Sequence, residues 1–398
     1  MKQAVKIGSL LLAVMMVFTA VFASGCSLQP QWSYKTSDKE LAIGVYIYNL
    51  DVAYQQGLNY AKKLDDYDGT NDKWLDLEIT DDDGNKAVAR QWIKDKAQEL
   101  TLTALAVEKA LKDEGATVDS ATMQAADEQA KTNWNVGPYA NYGYVMPMSK
   151  ELEPFGVSFD SYKYASAEVP AMQQALFNAL YEKGGSQEVA DEEIEKYFNE
   201  NYVDYSYISA NLYESTTDEA GNSSNVALSD DAIKQLTDKF DGYVKDLNGG
   251  KAFDDVSAAY TEAEGLENDP AVSNTELLKN FSAGDELKAQ IEKLENGKAA
   301  TVKVGEGDSA MLYLVYKKDV TAITKDYLES ASNRSEVLAN MKSDDFKNYI
   351  KDLIKELKYE KNAAVDGYDP KMFFVAEEPT TTAESSGSEG GDSSAAEE

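Results

Sequence analysis

The chain has 398 residues, and its 71 acidic and 38 basic side chains give a formal net charge of -33 at pH 7. A chain of this length holds two or three domains, and so acidic a surface repels nucleic-acid phosphates and anionic lipids, which argues against nucleic acid as a partner. One cysteine and no histidine are present, which excludes Ser-His-Asp and Cys-His catalysis and histidine-ligated zinc.

Residues 1–25 have the order of a bacterial signal peptide. Lys2 and Lys6 precede an apolar run over residues 7–22, which is shorter than the roughly 20 apolar residues of a membrane span. The segment Ala23-Ser24-Gly25-Cys26 resembles a lipobox, which implies that Cys26 is acylated and that cleavage occurs before it. An ordinary signal with an incidental cysteine is the alternative. We therefore expect a lipid anchor on the outer face of a bacterial plasma membrane.

The next part of the chain predicts a tether and then a helical domain. Residues 26–40 are polar and are expected to be the tether. In residues 41–200 apolar side chains recur at intervals of three and four, most clearly between Val88 and Leu111, which is typical of amphipathic helices. Pro170 is expected to kink one of these helices.

The pattern changes near Tyr202, where β-branched and aromatic residues become frequent. Residues 205–213 predict a strand, and residues 301–316 predict a hairpin, with helices between them. Polar loops are expected over residues 216–225 and 263–283. The chain is thus predicted to be α+β.

The end of the chain predicts a returning helix followed by a tail. Residues 324–358 again show helical spacing. Residues 373–398 are mostly Thr, Ser, Gly and Glu, which cannot bury a core, so this acidic tail is expected to be disordered.

Several stretches, in this order, resemble extracytoplasmic foldases of the SurA and PrsA kind. They are Ala110–Val118, Val189–Phe198, Leu247–Val256, Lys293–Gly297 and Phe346–Lys358. The resemblance implies a helical chaperone module over residues 41–200, a parvulin-like peptidyl-prolyl isomerase domain over residues 201–321, and a C-terminal helix over residues 322–372 that packs on the helical module.

The sequence departs from that family at the isomerase site. The family has a shallow hydrophobic pocket with two histidines, one on the first strand and one on the last hairpin. Here Ala210 matches the first position, and Met311 or Leu312 matches the second. With Leu212 these residues are the candidate pocket. The family's Gly-Gly-x-Leu-Gly loop is replaced by Asp269–Ser273.

Isomerase activity nevertheless stays open as an alternative. Prolyl isomerisation forms no covalent bond, and its barrier of roughly 18–20 kcal/mol comes from amide resonance. A dry pocket that holds the twisted amide lowers that barrier without a proton donor. Loss of the histidines therefore weakens this alternative without excluding it.

A tyrosine-rich loop offers a second candidate surface. Tyr139, Tyr142, Tyr144 and Met146 have the side chains of an adaptable groove for extended client peptides. Clustered aromatic residues more often serve packing, so packing of this loop on the helical core is the favoured interpretation.

Two clusters of acidic residues have both a functional and a structural interpretation. The run Asp81-Asp82-Asp83-Gly84-Asn85 suggests calcium, but Ile79 occupies the first ligand position, so a solvated turn is favoured. Glu262, Glu264 and Glu267 suggest acid–base chemistry, yet a solvated loop suits so acidic a chain better. We expect neither metal nor cofactor.

The sequence as a whole favours a membrane-anchored chaperone or foldase that captures unfolded or nascent secreted polypeptides in a cleft between its two modules. An active parvulin-type isomerase is the first alternative. A solute-binding lipoprotein is the second, and the small number of predicted strands disfavours it.

Overall fold

The computed structural model describes residues 31–217 and 221–377. The predicted signal peptide, Cys26 and nearly all of the predicted acidic tail lie outside the described residues. The chain divides into two compact units: unit 1 is Met1–Ala179 with Asn348–Glu398, and unit 2 is Leu180–Lys347. No helix in the described part of the chain has the length and apolar character needed to cross a membrane.

The α-helices of the described residues account for most of the structure. In chain order they are α1 (Ile43–Ala61), α2 (Ala89–Asp113), α3 (Ser120–Asn135), α4 (Met148–Leu152), α5 (Phe159–Lys163), α6 (Val169–Tyr181), α7 (Asp191–Asn201), α8 (Asp230–Asn248), α9 (Phe253–Glu264), α10 (Asp285–Lys293), α11 (Thr324–Glu329) and α12 (Ala331–Glu356).

The strands are short, and every pair among them is antiparallel. In chain order they are β1 (Trp32–Lys35), β2 (Glu40–Ala42), β3 (Glu78–Thr80), β4 (Lys86–Val88), β5 (Tyr202–Asn211), β6 (Tyr213–Thr217), β7 (Ser223–Ala227), β8 (Val272–Leu277), β9 (Lys298–Val304), β10 (Met311–Lys317) and β11 (Glu360–Lys361). The described sheets therefore contain no parallel βαβ unit, and the fold class is α+β as predicted.

The prediction of a tether over residues 26–40 is wrong for the part that the structure describes from Trp32 onwards. Strand β1 lies between β2 and β11 in a three-stranded sheet. Tyr34 is buried, and its ring lies 6.1 Å from that of Tyr46 and 5.8 Å from that of Tyr359. This strand is not apparent in the sequence, because its partner strand β11 lies more than 300 residues further along the chain.

Helices α1 and α2 form the centre of unit 1. Gly57 of α1 allows them to approach closely, because a Cβ at this position would lie 2.8 Å from Cγ1 of Ile93. One polar contact is enclosed with the apolar side chains: the Asn49 amide donates to the Thr101 hydroxyl at 3.0 Å. Thr101 in turn donates to the carbonyl of Ala97, so each buried polar group of this contact has a partner.

A π-helical turn lies just before Pro170, where a kink was predicted. Residues Tyr164–Glu168 form this turn between α5 and α6, and Pro170 lies in the first turn of α6. Proline has no N–H to donate to the preceding turn, so the regular α-helical pattern cannot continue through it. The change in the helix therefore has a local cause in the sequence.

Unit 2 is built on a four-stranded sheet in the order β8-β5-β10-β9. Helices α8 and α9 cover one face, where Phe240, Phe253 and Val256 pack against Ile208 and Leu314. Helix α10 covers part of the other face. Fully burying a side chain of this size contributes about 1.5–3 kcal/mol to stability. The apolar clusters on the two faces of the sheet therefore hold it between its helices.

Unit 2 begins earlier and ends later than the predicted insert over residues 201–321. Arg334 of α12 forms ion pairs with Glu182 at 2.5 Å and with Asp191 at 3.0 Å. The Asn340 amide also donates to the hydroxyl of Tyr202 at 2.7 Å. These contacts join α7 and the first part of α12 to the sheet, so only the later part of the predicted returning helix belongs to unit 1.

Two predicted loops contain strands. Residues 216–217 and 223–225 lie in the ribbon of β6 and β7, whose side chains are almost all exposed. Residues 263–283 include β8, a polar strand that pairs with β5. Neither segment has the apolar alternation that marks a strand in sequence, because each is stabilised by its partner strand rather than by burial of one face.

The folded part of unit 1 continues past the predicted start of the tail at residue 373. Phe373 is buried, and its ring lies 5.7 Å from that of Tyr54. The Glu377 carboxylate pairs with Lys62 at 2.8 Å, and its backbone N–H donates to the carbonyl of Gly69. Residues beyond Glu377 lie outside the described part of the chain.

Candidate functional site

Tyr207 of β5 and Tyr313 of β10 meet on one face of the sheet in unit 2. Their ring centroids are 5.5 Å apart, and the Tyr313 hydroxyl lies 3.5 Å from the sulfur of Met311. Side chains alternate between the two faces of a strand, so Tyr205, Tyr207, Met311 and Tyr313 share one face. With Phe281 they form what we call the tyrosine face.

Helix α10 covers only one end of the tyrosine face. Leu287 and Ile291 of this helix pack against Val203 and Val315. Tyr207 and Tyr313 lie beyond the helix and remain partly exposed. The result is a shallow aromatic surface with one closed end.

Tyr205 is the buried end of this surface, and its hydroxyl is fully engaged. It donates to the Glu276 carboxylate at 2.5 Å, and it accepts from the amide of Asn274 at 3.3 Å. Burial and the bond to Glu276 raise the pKa of Tyr205 well above its ordinary value. The hydroxyl therefore stays protonated at neutral pH and acts as a donor.

The structure does not bring the four predicted pocket residues together. Ala210 lies directly opposite Leu312 in the β5–β10 pairing, and both pack in the cluster under α8 and α9. Leu212 and Leu312 are buried in that core. Met311 alone faces the tyrosine face. Successive residues of a strand point to opposite faces of the sheet. Residues that match the family's site by their position in the sequence can therefore lie on opposite faces.

Sequence analysis missed Tyr207 and Tyr313, although a signal was present. Ile208 of β5 and Leu314 of β10 are buried apolar residues that lie opposite each other in the sheet. Counting in steps of two from these residues places the tyrosines on the opposite face. The resemblance places histidines on the first strand and the last hairpin, and the tyrosine pair lies on those two elements.

The loop of residues 139–146, here the aromatic loop, is exposed rather than packed. Tyr142, Tyr144 and Val145 expose 79%, 65% and 70% of their surface, and Tyr139 and Met146 are also exposed. The favoured interpretation of packing on the helical core is therefore wrong. Contiguous exposed apolar side chains of this kind mark interaction surfaces.

The aromatic loop has a defined shape despite its exposure. The N–H of Met146 donates to the carbonyl of Val136 at 2.8 Å, and Tyr144 donates to the carbonyl of Tyr139 at 3.3 Å. Gly137 has a φ of +114°, and a Cβ there would meet the Met146 carbonyl oxygen at 2.2 Å. Glycine is thus required where the loop closes.

The acidic residues that suggested calcium or acid–base chemistry bond to other groups of the protein. The Asp81 carboxylate accepts from the N–H of Asn85 at 2.8 Å and from the indole of Trp92 at 3.2 Å. Glu264 forms an ion pair with Lys239. Within residues 31–217 and 221–377, no group of three acidic, histidine or cysteine side chains is arranged to hold a metal ion.

Unit 1 also has a cleft of about 520 Å³ between α2, the turn after β1 and the end of α12. Its wall includes the apolar Leu105, Leu353 and Leu357. Charged residues on its rim pair with one another, as Lys39 does with Glu108 at 3.2 Å and Lys112 with Asp38 at 3.2 Å. The rim thus has no excess of one charge to select a ligand.

No protein family model matches this chain, and no curated protein matches it. Solved structures that are similar to this chain include three PrsA proteins. The foldase protein PrsA from Streptococcus pneumoniae str. Canada MDR_19A is 14% identical with a TM-score of 0.36, covering 75% of this chain and 100% of that one. PrsA from Bacillus subtilis is 15% identical with a TM-score of 0.26, covering 71% of this chain and 94% of that one. The peptidylprolyl isomerase (PrsA) from Bacillus cereus is 17% identical with a TM-score of 0.26, covering 73% of this chain and 95% of that one. These scores carry no functional argument.

Proposed function

We propose that this protein is an extracytoplasmic chaperone of the foldase class, anchored by a lipid on Cys26, that binds unfolded segments of secreted polypeptides. The observation that carries the proposal is the aromatic loop. It presents large apolar side chains to solvent in a loop held by its own backbone hydrogen bonds.

The chemistry of the loop suits transient binding of many sequences. Tyrosine and methionine supply contact area without requiring a particular partner side chain. Each side chain that a client covers contributes up to about 1.5–3 kcal/mol, from which the cost of ordering the client is subtracted. The net affinity is therefore modest, and release needs no energy source.

The negative charge of the chain supports the same role. A formal charge of -33 keeps a protein with exposed apolar side chains soluble and resists its self-association. The signal segment and Cys26 support the location, since they address the chain to the surface where secreted polypeptides emerge unfolded.

The test is suppression of aggregation of a chemically denatured client, monitored by light scattering. Replacing Tyr142, Tyr144 and Val145 with serine is expected to weaken suppression roughly five- to tenfold, because about half of the loop's apolar contact area is removed. The matched control replaces the scattered exposed valines Val88, Val226 and Val375 with serine. Equal activity of both triple variants would reject the loop as the binding surface.

The anchor has its own test in cells. Wild-type protein is expected to incorporate radiolabelled palmitate, and the Cys26→Ala variant is expected to lose the label and the membrane association. Retention of label in that variant would refute lipidation at Cys26.

An active prolyl isomerase is a second candidate, favoured by one observation. Tyr207 and Tyr313 form a shallow aromatic surface on the two elements where the resemblance places the active site. A protease-coupled assay on a prolyl peptide tests it. A rate above background that falls at least fivefold in the Tyr207→Ala variant, and not in the aromatic-loop variant, would support the activity. A background rate would exclude it.

A further inference from the structure

The two edges of the sheet in unit 2 differ in how they are protected. On the β9 edge, the side chain of Asn248 acts as a short strand: it accepts from the N–H of Ala299 at 2.9 Å and donates to the carbonyl of the same residue at 3.2 Å. Thr301 of this edge donates to Asp241 at 2.6 Å. Side chains of α8 thus cover β9.

Strand β8 forms the other edge, and within the described residues it pairs only with β5. Its first residues, Val272 and Ser273, are exposed. An edge strand presents a row of backbone N–H and C=O groups at the spacing of the next strand, and proteins commonly cover such a row or place lysine or proline on it. The six residues of β8 include neither.

The open edge is held in place before any partner arrives. Ser273 bonds to Ser206 at 2.6 Å, and Thr275 donates to Asp204 at 3.2 Å. Asp269 fastens the preceding loop by accepting from the N–H of Ala271 at 2.9 Å and from the hydroxyl of Ser257. A strand that adds to β8 therefore has little protein to order, which favours binding.

The segment that contains β8 carries negative charge, although Lys318 donates to the Ser273 hydroxyl at 3.4 Å and Lys239 pairs with Glu264. Residues 252–278, from the start of α9 to just past β8, contain acidic side chains and neither lysine nor arginine. The acidic residues are Asp254, Asp255, Glu262, Glu264, Glu267, Asp269 and Glu276. An extended segment with basic side chains is complementary to this edge.

We propose that β8 binds an extended, basic segment of an unfolded polypeptide as a fifth strand of the sheet. This inference rests on the proposed chaperone function and adds a second surface, separate from the aromatic loop. Side chains of the added strand alternate between two environments. On one side they extend the tyrosine face, where Val272 suits apolar residues and Glu276 suits basic ones. On the other they adjoin Ser273 and Thr275 on the face that α9 covers, beside the ion pair of Lys318 and Asp204.

The first test uses three fluorescein-labelled twelve-residue peptides and the full-length protein, with binding followed by fluorescence anisotropy. The first peptide alternates valine and lysine. The second has the same side chains, with alternate backbone nitrogens along one edge methylated. The third alternates valine and glutamate. We expect the second and third to bind at least tenfold more weakly than the first, because they lose backbone donors or meet like charge.

Equal binding of the first two peptides would overturn strand addition. Equal binding of the first and third peptides would overturn the preference for basic segments. Salt of about 0.5 M is expected to weaken binding of the valine–lysine peptide, because it screens exposed charges.

The second test changes the protein. In the variants Ser273→Pro and Asn274→Pro, successive N–H groups that point to opposite edges of β8 are removed. One variant loses a bond to β5 and should unfold at a lower temperature. The other loses an outward donor together with the side-chain hydrogen bond of the replaced residue. Its thermal midpoint should fall by less than that of the first variant, and it should bind the valine–lysine peptide about tenfold more weakly than wild type. Unchanged binding by that more stable variant would refute the inference.

Failure of this inference is distinguishable from failure of the chaperone proposal. If wild-type protein suppresses aggregation of the denatured client but does not discriminate the methylated peptide, β8 is not the binding edge and the chaperone proposal stands. If wild-type protein neither suppresses aggregation nor binds the valine–lysine peptide, both proposals are refuted.

Discussion

Asp51 is a carboxylate of helix α1 that lies largely inside unit 1. Burial raises the pKa of Asp51 to about 6, although the Gln55 amide donates to it at 3.4 Å and opposes the shift. The neighbouring Glu151 raises the pKa further, and its own pKa is raised by burial. No basic side chain balances Asp51 among these contributions. The charged form therefore costs stability in the folded state.

The Asp51→Asn variant is expected to be more stable than wild type at pH 7, by about 1–3 kcal/mol, because each unit of pKa shift corresponds to about 1.4 kcal/mol. The folded-state pKa lies above the unfolded value near 4, so the contribution of Asp51 to stability is fully present below pH 4 and is lost as pH rises through 6. Denaturant unfolding at pH 4, 5, 6 and 7 measures this.

The control for Asp51→Asn is Glu128→Gln, which neutralises an exposed carboxylate on helix α3. It should leave the free energy of unfolding within about 0.5 kcal/mol at every pH. A stabilisation by Asp51→Asn that is the same at pH 4 and pH 7 would contradict a charge-based origin.

At the scale of elements, two glycines within helices differ in whether the structure has room for a larger side chain. Gly57 of α1 lies against Ile93 of α2, with no room for a Cβ, whereas Gly242 of α8 has no heavy atom within 4 Å of the position that a Cβ would take. Glycine costs a helix about 0.5–1 kcal/mol relative to alanine. Only at Gly57 does close packing of two helices offset that cost.

Gly57→Ala is expected to destabilise the protein by about 1–3 kcal/mol, because the new methyl group overlaps Ile93 and forces the helices apart. Gly242→Ala is expected to stabilise it by about 0.5–1 kcal/mol through helix propensity alone. Chemical denaturation of the pair gives both values. Stabilisation by both substitutions would show that α1 and α2 do not pack at this distance.

The elements also show how far sequence reasoning reaches. Helix α2 was predictable because its apolar residues recur on one face, and that pattern is local. Strand β8 was not, because its sequence Val-Ser-Asn-Thr-Glu-Leu has no alternation of apolar and polar residues. Tyr207 and Tyr313 lie on predicted strands, yet the face that they share depends on register, which one residue of shift reverses.

At the scale of the whole molecule, the chain leaves unit 1 at Ala179 and re-enters it at Asn348. Unit 2 contains two apolar clusters of its own, one on each face of its sheet. The ion pairs of Arg334 join its first and last segments. A contiguous segment with its own core meets the description of an independently folding domain.

A fragment of residues 180–347 is therefore expected to fold alone. It should unfold in one cooperative step with a free energy of about 5–10 kcal/mol, as domains of this size do. Urea titration followed by circular dichroism measures this. The Arg334→Met variant should lower that free energy by about 1–3 kcal/mol, because Glu182 and Asp191 lose their partner. Gradual unfolding of the fragment would contradict its independence.

The sequence by itself determined the features that depend on composition or on a local pattern. These are the lack of histidine, the acidic charge, the helical spacing and the signal-like first residues. Only the tertiary structure decided which tyrosines share a face, that residues 32–35 are a strand, and that the β8 edge is open while the β9 edge is covered. The physical reason is that strand pairing joins distant segments, as β1 pairs with β11 and β5 with β8. No local pattern encodes which partner a strand has or lacks.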